Sequence, residues 1–364
     1  MTALRPADAA PAPETIIERR GCAGFILLNR PGMLNALTLG MVRSIAGALD
    51  DFERDASIHR IVIMSAGGRA FCAGGDLRAL YERGRDGDIA PLLAMWRQEY
   101  QLNWRLKTYP KPIVALVDGI VMGGGVGLCA YSKHIIVSER LLYAMPEVGI
   151  GFIPDIGATW FLPRLPHRFG VYLALTGARI DAGDTLALGL ASAFASSARF
   201  AALAHALESA GDIELILARF TDTAPKSRVL ETAAALSPCL AGVSCTQILA
   251  ALERSPLAFA QQAALAMQGK SPTSQAIALR QMQLGASLSL DEALKLEFRI
   301  VSRIAAAHDF YEGVRAAIID KDGRPHWRPE NAHALQTAAI DAYFAPLGDH
   351  ELDLPELLLG GVRH

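Results

Sequence analysis

The sequence predicts an α/β protein whose first half alternates strands with helices and whose second half is mostly helical. Three observations carry this. Short runs rich in Ile, Val and Leu alternate with amphipathic stretches of helical period up to about residue 140. Glycine-rich loops (Gly67-Gly68, Gly74-Gly75, Gly123-Gly124-Gly125) stand among those runs. From about Asp181 onward Ala and Leu dominate and the strand signal fades.

Taken in order, Met1 to Glu14 is Ala/Pro-rich, with Asp8 inside it and no continuous apolar stretch of a secretory signal. It reads as a loose tail, and a cytoplasmic location is expected. Gly24–Asn29 (GFILLN) is a strand, broken by Pro31-Gly32. Thr38–Arg54 follows as a helix, because Met41, Ile45, Leu49 and Phe52 share one face at helical spacing. Arg60–Ser65 (RIVIMS) is a second buried strand, Pro91–Thr108 a helix, Ile113–Asp118 a third strand and His134–Ser138 a fourth. Pro112 to Tyr131 is apolar enough to imitate a membrane span. Asp118 near its middle costs about 3 kcal/mol on insertion scales, and its glycine cluster suits a strand, loop and helix better. In the second half Ser271-Pro272-Thr273 and Ser289-Leu290-Asp291-Glu292 look like helix starts, the latter a capping box. The expected division is a tail over 1–15, a core over 16–200, a helical region over 201–345 and an irregular tail over 346–364.

Composition excludes several functions. Of 364 residues 51% are hydrophobic and 20% charged, enough apolar side chain for a large core. The 35 Lys+Arg and 37 Asp+Glu leave a net charge of −2, so no whole-protein field gathers nucleic acid. The five cysteines form no CxxC pair, and their odd number suggests no disulfide framework. The nine histidines include no HExxH, so no metal site is expected.

Three segments carry chemistry. In Ala70–Leu77 (AFCAGGDL), small residues let a ligand approach backbone N–H groups, which can donate to a polarised carbonyl; an ordinary tight turn has the same residues. In Val117–Leu128 (VDGIVMGGGVGL), a strand enters a glycine loop and a helix leaves it. Gly124 then presents its N–H near a helix N-terminus. Two such turns supplying one donor each would make an oxyanion hole. The same stretch contains GxGxxA over Gly125–Ala130, a dinucleotide fingerprint, but the strand ends too far upstream for that turn. In Ala144–Gly157 (AMPEVGIGFIPDIG), Glu147 and Asp155 sit in an apolar, Pro/Gly-bent stretch. Such surroundings raise carboxyl pKa values and suit proton transfer or attack; a surface Glu and a helix-capping Asp fit the residues as well. Glu99, in Arg97-Gln98-Glu99-Tyr100, reads by itself as a solvated helix charge.

Together these segments resemble the crotonase (enoyl-CoA hydratase/isomerase) superfamily, and within it the 3-hydroxyisobutyryl-CoA hydrolase branch. The resemblance is carried by Asn29-Arg30-Pro31 with Leu34-Asn35-Ala36-Leu37, then Phe71–Asp76, Met122–Leu128 and Pro146–Asp155. The distal stretches Ser271-Pro272-Thr273-Ser274, His308–Ala316 (HDFYEGVRA) and Asp320-Lys321-Asp322 point to the hydrolase branch. It covers residues 16 to 330. It implies a ββα spiral core with a C-terminal helical region and an acyl-CoA thioester site without a separate cofactor or metal. It also implies hydrolysis of a short β-hydroxyacyl-CoA in valine breakdown. The Ala73 and Gly124 amides match the family's oxyanion hole, and Ala73, Gly75 and Asp76 its CoA wall. Glu147 matches the catalytic Glu, Asp155 a second catalytic group, and Glu99, Gly124, Glu147 and Asp155 the substrate contacts. Hydratases carry a second Glu where this chain has Gly127, which disfavours two-Glu hydration. Whether Glu147 attacks the carbonyl or activates water stays open at this level. So do three other readings: hydratase or isomerase, nicotinamide oxidoreductase, and silent CoA-ester binder. The superfamily favours trimers and hexamers, so self-association is an open expectation; no nucleic-acid or membrane partner is expected.

Overall fold

The computed structural model describes residues 12–355. Residues 1–11 of the expected loose tail and 356–364 of the irregular tail lie outside the described residues. Among the described residues nine strands form two sheets. The larger runs β1 (Thr15–Arg20), β2 (Ala23–Leu28), β3 (Arg60–Ser65), β5 (Ile113–Val117), β7 (His134–Val137) and β9 (Ala193–Phe194), in that spatial order. The smaller holds β4 (Ala70–Cys72), β6 (Ile120–Met122) and β8 (Leu142–Ala144) side by side. Only β1 and β2 pair antiparallel; every other pairing between strands is parallel.

The chain builds this by repeating one unit. Strands β3, β5 and β7 each lie in the large sheet, and each is followed at once by a short strand of the small sheet (β4, β6, β8). A helical segment then returns the chain for the next turn. The result is a ββα spiral. The four strands expected from sequence appear within a residue or so of their expected ends, because each is an apolar run closed by a turn. The short strands β4, β6 and β8 were not foreseen. Three residues hold too little alternation to mark a strand, and their pairing is entirely long-range.

Helix Leu39–Arg54 starts where Thr38 Oγ1 accepts the Met41 N–H at 3.1 Å. It buries the expected face of Met41, Ile45, Leu49 and Phe52, each contributing about 1.5–3 kcal/mol. Phe52 covers Gly24, where an added Cβ would stand 2.5 Å from the ring. The apolar run Pro112–Tyr131 is no spanning helix but two strands and one short turn of helix. Among the described residues no helix is long and apolar enough to cross a membrane.

The second half is not a separate body. Helices Phe200–Ala206 and Ile213–Phe220 cover the outer face of the large sheet, packing Phe200, Leu203 and Leu217 against Phe25, Val62 and Leu116. Helices Pro272–Gly285 and Leu290–Ile304 join the main core, touching helix Ala90–Thr108 and the segments after β8. At the start of the latter, Glu292 accepts the Ser289 N–H and hydroxyl, both at 2.8 Å.

Candidate active site

Parallel pairing places the C-terminal ends of neighbouring strands side by side, about 4.8 Å apart. In the small sheet the order β4-β6-β8 therefore aligns three loops at one edge: Ala73-Gly74-Gly75 after β4, Gly123-Gly124 after β6, and Met145-Pro146-Glu147 after β8. A cavity of about 70 Å³ opens there. It is lined by Ala73, Gly75, Gly124, Glu99, Glu147 and Asp155, among others. Its apolar wall includes Leu80, Met95, Trp96, Ile150 and Phe152, with Trp96 stacked on Phe152 at 5.3 Å. Larger cavities lie elsewhere, one of about 270 Å³ with no carboxylate in its lining and one of about 580 Å³ that includes Asp181 and Glu231; neither meets the glycine loops, so the chemistry belongs to the smaller one.

The glycine loops meet for steric reasons. Gly123 has φ +48°, a region that favours glycine. An added Cβ at Gly125 would fall 2.2 Å from the Cys72 carbonyl oxygen, so the short helix Gly124–Gly127 rests directly on β4. A Cβ on Gly74 would stand 3.7 Å from the Gly124 nitrogen. The two loops therefore share one surface.

The structure corrects one expectation. The Ala73 N–H, expected to face a substrate oxygen, donates to the Leu34 carbonyl at 3.0 Å. It is occupied by the fold. Among the described residues the amides of Gly75 and Gly124 have no such acceptor, so the pair of donors open to a ligand is Gly75 with Gly124. Asp76, whose backbone is expected in the CoA wall, is anchored by its side chain. Its side chain caps the next helix by accepting the Ala79 N–H at 3.3 Å, and it pairs with Arg30 at 3.0 Å. It is tied into the loop rather than presented to the cavity.

Glu147 enters on a 3-10 helix, Glu147–Ile150, that Pro146 starts. Helix His308–Val314 docks on this turn backbone to backbone. A Cβ on Gly151 would stand 1.9 Å from the Asp309 oxygen, and one on Gly313 would stand 2.3 Å from the Ile150 carbonyl carbon. Asp309 in turn accepts the Ser271 hydroxyl at 2.6 Å and the Arg328 N–H at 2.8 Å. The distal Ser-Pro-Thr and His-Asp-Phe stretches thus hold the Glu147 turn in place.

Three carboxyls meet at the cavity, Glu99, Glu147 and Asp155, all at least 95% out of solvent. Glu99, which reads as a surface charge in sequence, points inward: its Oε1 would be 2.2 Å from a Cβ on Gly124. Glu99 Oε1 and Glu147 Oε2 have no hydrogen-bond partner. Burial, and then the neighbouring Asp155, push Glu99 up to about 8. The same two causes hold Glu147 well above the ordinary carboxyl range. Burial pushes Asp155 up to about 7, against the pull of the Tyr100 hydroxyl, which donates to Oδ2 at 2.7 Å. Burial thus raises all three carboxyls above their ordinary range.

The position after the glycine loop confirms why no second Glu stands there. A Cβ on Gly127 would be 2.6 Å from Asn103 Nδ2 and 3.1 Å from Ile156 Cβ, and Asn103 donates to the Gly127 carbonyl at 3.1 Å. The nearby Cys72 offers no nucleophile, since burial pushes its thiol up to about 12. Tyr100, Gln281 and Glu297 surround Asp155 and were not foreseen. For Glu297 a signal exists: it lies on the stripe Ala293, Val301 and Ile304 of an amphipathic helix, a carboxyl where an apolar residue is due.

Comparison with known proteins agrees with this architecture. The sequence profile of the enoyl-CoA hydratase/isomerase family matches residues 23–344. The mitochondrial 3-hydroxyisobutyryl-CoA hydrolase of Rattus norvegicus is 40% identical over 359 residues, covering 96% of this chain and 93% of the rat protein. That of Homo sapiens is 39% identical over 352 residues, covering 94% and 91%. Among solved structures, a carnitinyl-CoA dehydratase from Mycobacterium thermoresistibile is 36% identical with a TM-score of 0.89, covering 93% of this chain and 98% of that one. An enoyl-CoA hydratase from Rhodobacter sphaeroides is 41% identical with a TM-score of 0.88, covering 94% and 100%. With a ββα spiral, two glycine loops at one sheet edge and a profile match across nearly the whole chain, this protein belongs to the enoyl-CoA hydratase/isomerase family.

Proposed function

We propose that the chain hydrolyses a short β-hydroxyacyl-CoA thioester, 3-hydroxyisobutyryl-CoA, to 3-hydroxyisobutyrate and free CoA, as a step in valine breakdown. The observation that carries this is the convergence of two open amides, Gly75 and Gly124, with three buried carboxyls on one cavity. Near-full-length similarity to proteins named for that hydrolysis supports the choice of substrate.

The thioester oxygen sits between the two amides, which stabilise the negative charge that develops on it; one such donor is worth about 3 kcal/mol. Glu147, once ionised, acts by one of two routes. Its oxygen attacks the carbonyl carbon, the C–S bond breaks, and water then cleaves the mixed anhydride. Alternatively it takes a proton from water, whose oxygen attacks instead. In either route CoA leaves as thiolate and gains a proton; Glu99 holds one at the cavity near neutral pH. Asp155, steadied by Tyr100, receives the substrate hydroxyl or the incoming water. Substrate contacts fall to Glu99, Gly124, Glu147 and Asp155, and the CoA wall to the backbone of Ala73 and Gly75. A cytoplasmic location and self-association are further parts of the proposal, beside relatives that are named as mitochondrial.

A second reading has one observation in its favour. The cavity holds carboxyls beyond Glu147, so acid and base for hydration of a double bond exist without residue 127. Acyl-CoA panels scored in parallel for free thiol and for double-bond absorbance separate the two. Thiol release from 3-hydroxyisobutyryl-CoA with no absorbance change on crotonyl-CoA is expected. Absorbance loss without thiol would overturn the hydrolase reading.

A further inference from the structure

We propose that Glu297, on a helix of the second half of the chain, is a positioning residue that holds the turn aiming Asp155 into the cavity. This rests on the hydrolase reading above. The turn Pro154–Thr159 has an unusual shape. Ile156 has φ +57° and Gly157 φ +85°. A β-branched residue adopts the left-handed region only when its surroundings over-determine it. Those surroundings are three buried side chains. Tyr131 donates its hydroxyl to the Ile156 carbonyl at 2.6 Å. Glu297 accepts the Gly157 N–H at 2.6 Å and the Thr159 N–H at 2.8 Å, one on each carboxyl oxygen. Gln281 donates to the Pro154 carbonyl at 3.1 Å and to the Thr159 hydroxyl at 2.7 Å.

Glu297 and Gln281 are both wholly buried. They come from helices Leu290–Ile304 and Pro272–Gly285, so the second half of the chain grips both sides of the residue that works in the first. Packing alone does not account for a carboxyl at 297. Its helix neighbours Ala293, Leu294, Phe298 and Val301 are apolar, and a neutral side chain of that size would fill the space without the desolvation cost. What only a carboxyl supplies there is two acceptors for two amides on one turn.

Glu297 is a further buried carboxyl near Asp155; burial, and then Asp155, push it up to about 8. The titratable groups facing this pair are Glu99 and Tyr100 from helix Ala90–Thr108, Glu147 from its 3-10 helix, and Tyr131. Charge on Asp155 makes Glu297 hold its proton more firmly.

Three variants test this, with thiol release from 3-hydroxyisobutyryl-CoA by the full chain measured first. Without release by the unaltered chain, both this inference and the hydrolase reading fall. Given release, Glu297→Gln keeps the shape but turns one acceptor into a donor facing an amide. Its kcat should fall about ten- to 100-fold, as for a displacement of about 1 Å, with KM changed less than about threefold. The acid limb of its pH profile should stay in place, because burial keeps the proton on Glu297 where Asp155 titrates. Glu297→Asp keeps a carboxyl but cannot reach both amides, so kcat falls with KM little changed. A folded Glu297→Gln variant with unchanged kcat overturns the inference and leaves the hydrolase reading standing. If that variant does not fold, Gln281→Met decides: kcat down about tenfold with KM and the limb unmoved supports the grip on the turn, and unchanged kcat overturns it.

Discussion

Replacing Glu147 with Gln should abolish turnover and at the same time stabilise the protein, by an amount that depends on pH. Glu147 is 5% exposed, has an unpartnered Oε2, and is held well above the ordinary carboxyl range by burial and by Asp155. The unfolded chain loses this proton near 4.5. Between that value and the folded one, the native state therefore holds one proton more than the unfolded state. Stability from this group then falls as pH rises, by about 1.4 kcal/mol per pH unit. Gln has no proton to take up. Above about pH 5 the variant should therefore gain stability relative to the parent as pH rises. Paired thermal or urea unfolding of parent and variant across that range measures it, alongside thiol release. A Tm difference that does not change with pH would show that residue 147 is not a protonated buried acid. Wild-type thiol release would remove it from the mechanism altogether.

Two further outcomes follow from the same geometry. Tyr100→Phe removes the hydroxyl that donates to Asp155 Oδ2, so the acid limb of kcat/KM should move to higher pH and stability should fall by about 1.5–3 kcal/mol; an unmoved limb would separate Asp155 from catalysis. Gly127→Glu, which recreates the hydratase pattern in sequence, should not produce crotonyl-CoA hydration, because its Cβ alone collides with Asn103 and Ile156. Unfolding should show a loss of about 1–3 kcal/mol, and new hydratase activity would refute this account of position 127.

Much of the molecule is legible without coordinates. The runs GFILLN, RIVIMS and the apolar stretch before Asp118 announce strands, and Met41, Ile45, Leu49 and Phe52 announce a buried helix face, because each pattern is local and periodic. The glycine strings and the Pro-Glu and Pro-Asp pairs announce a family, and with it Gly124, Glu147 and Asp155 at one cavity. Which amide faces the substrate is a different kind of fact. Ala73 and Gly75 are equally small, and only the approach of Leu34 takes one N–H and leaves the other. Glu99 by residue pattern alone looks like any helix charge; the resemblance places it among the substrate contacts, and the packing of helix Ala90–Thr108 beside Gly124 is what turns it inward. Tyr100, Gln281 and Glu297 matter through partners distant in the chain. Periodicity encodes which face of an element is buried. Only the packed chain decides which polar atom meets which, since a hydrogen bond depends on two positions in space and a sequence pattern describes one element at a time.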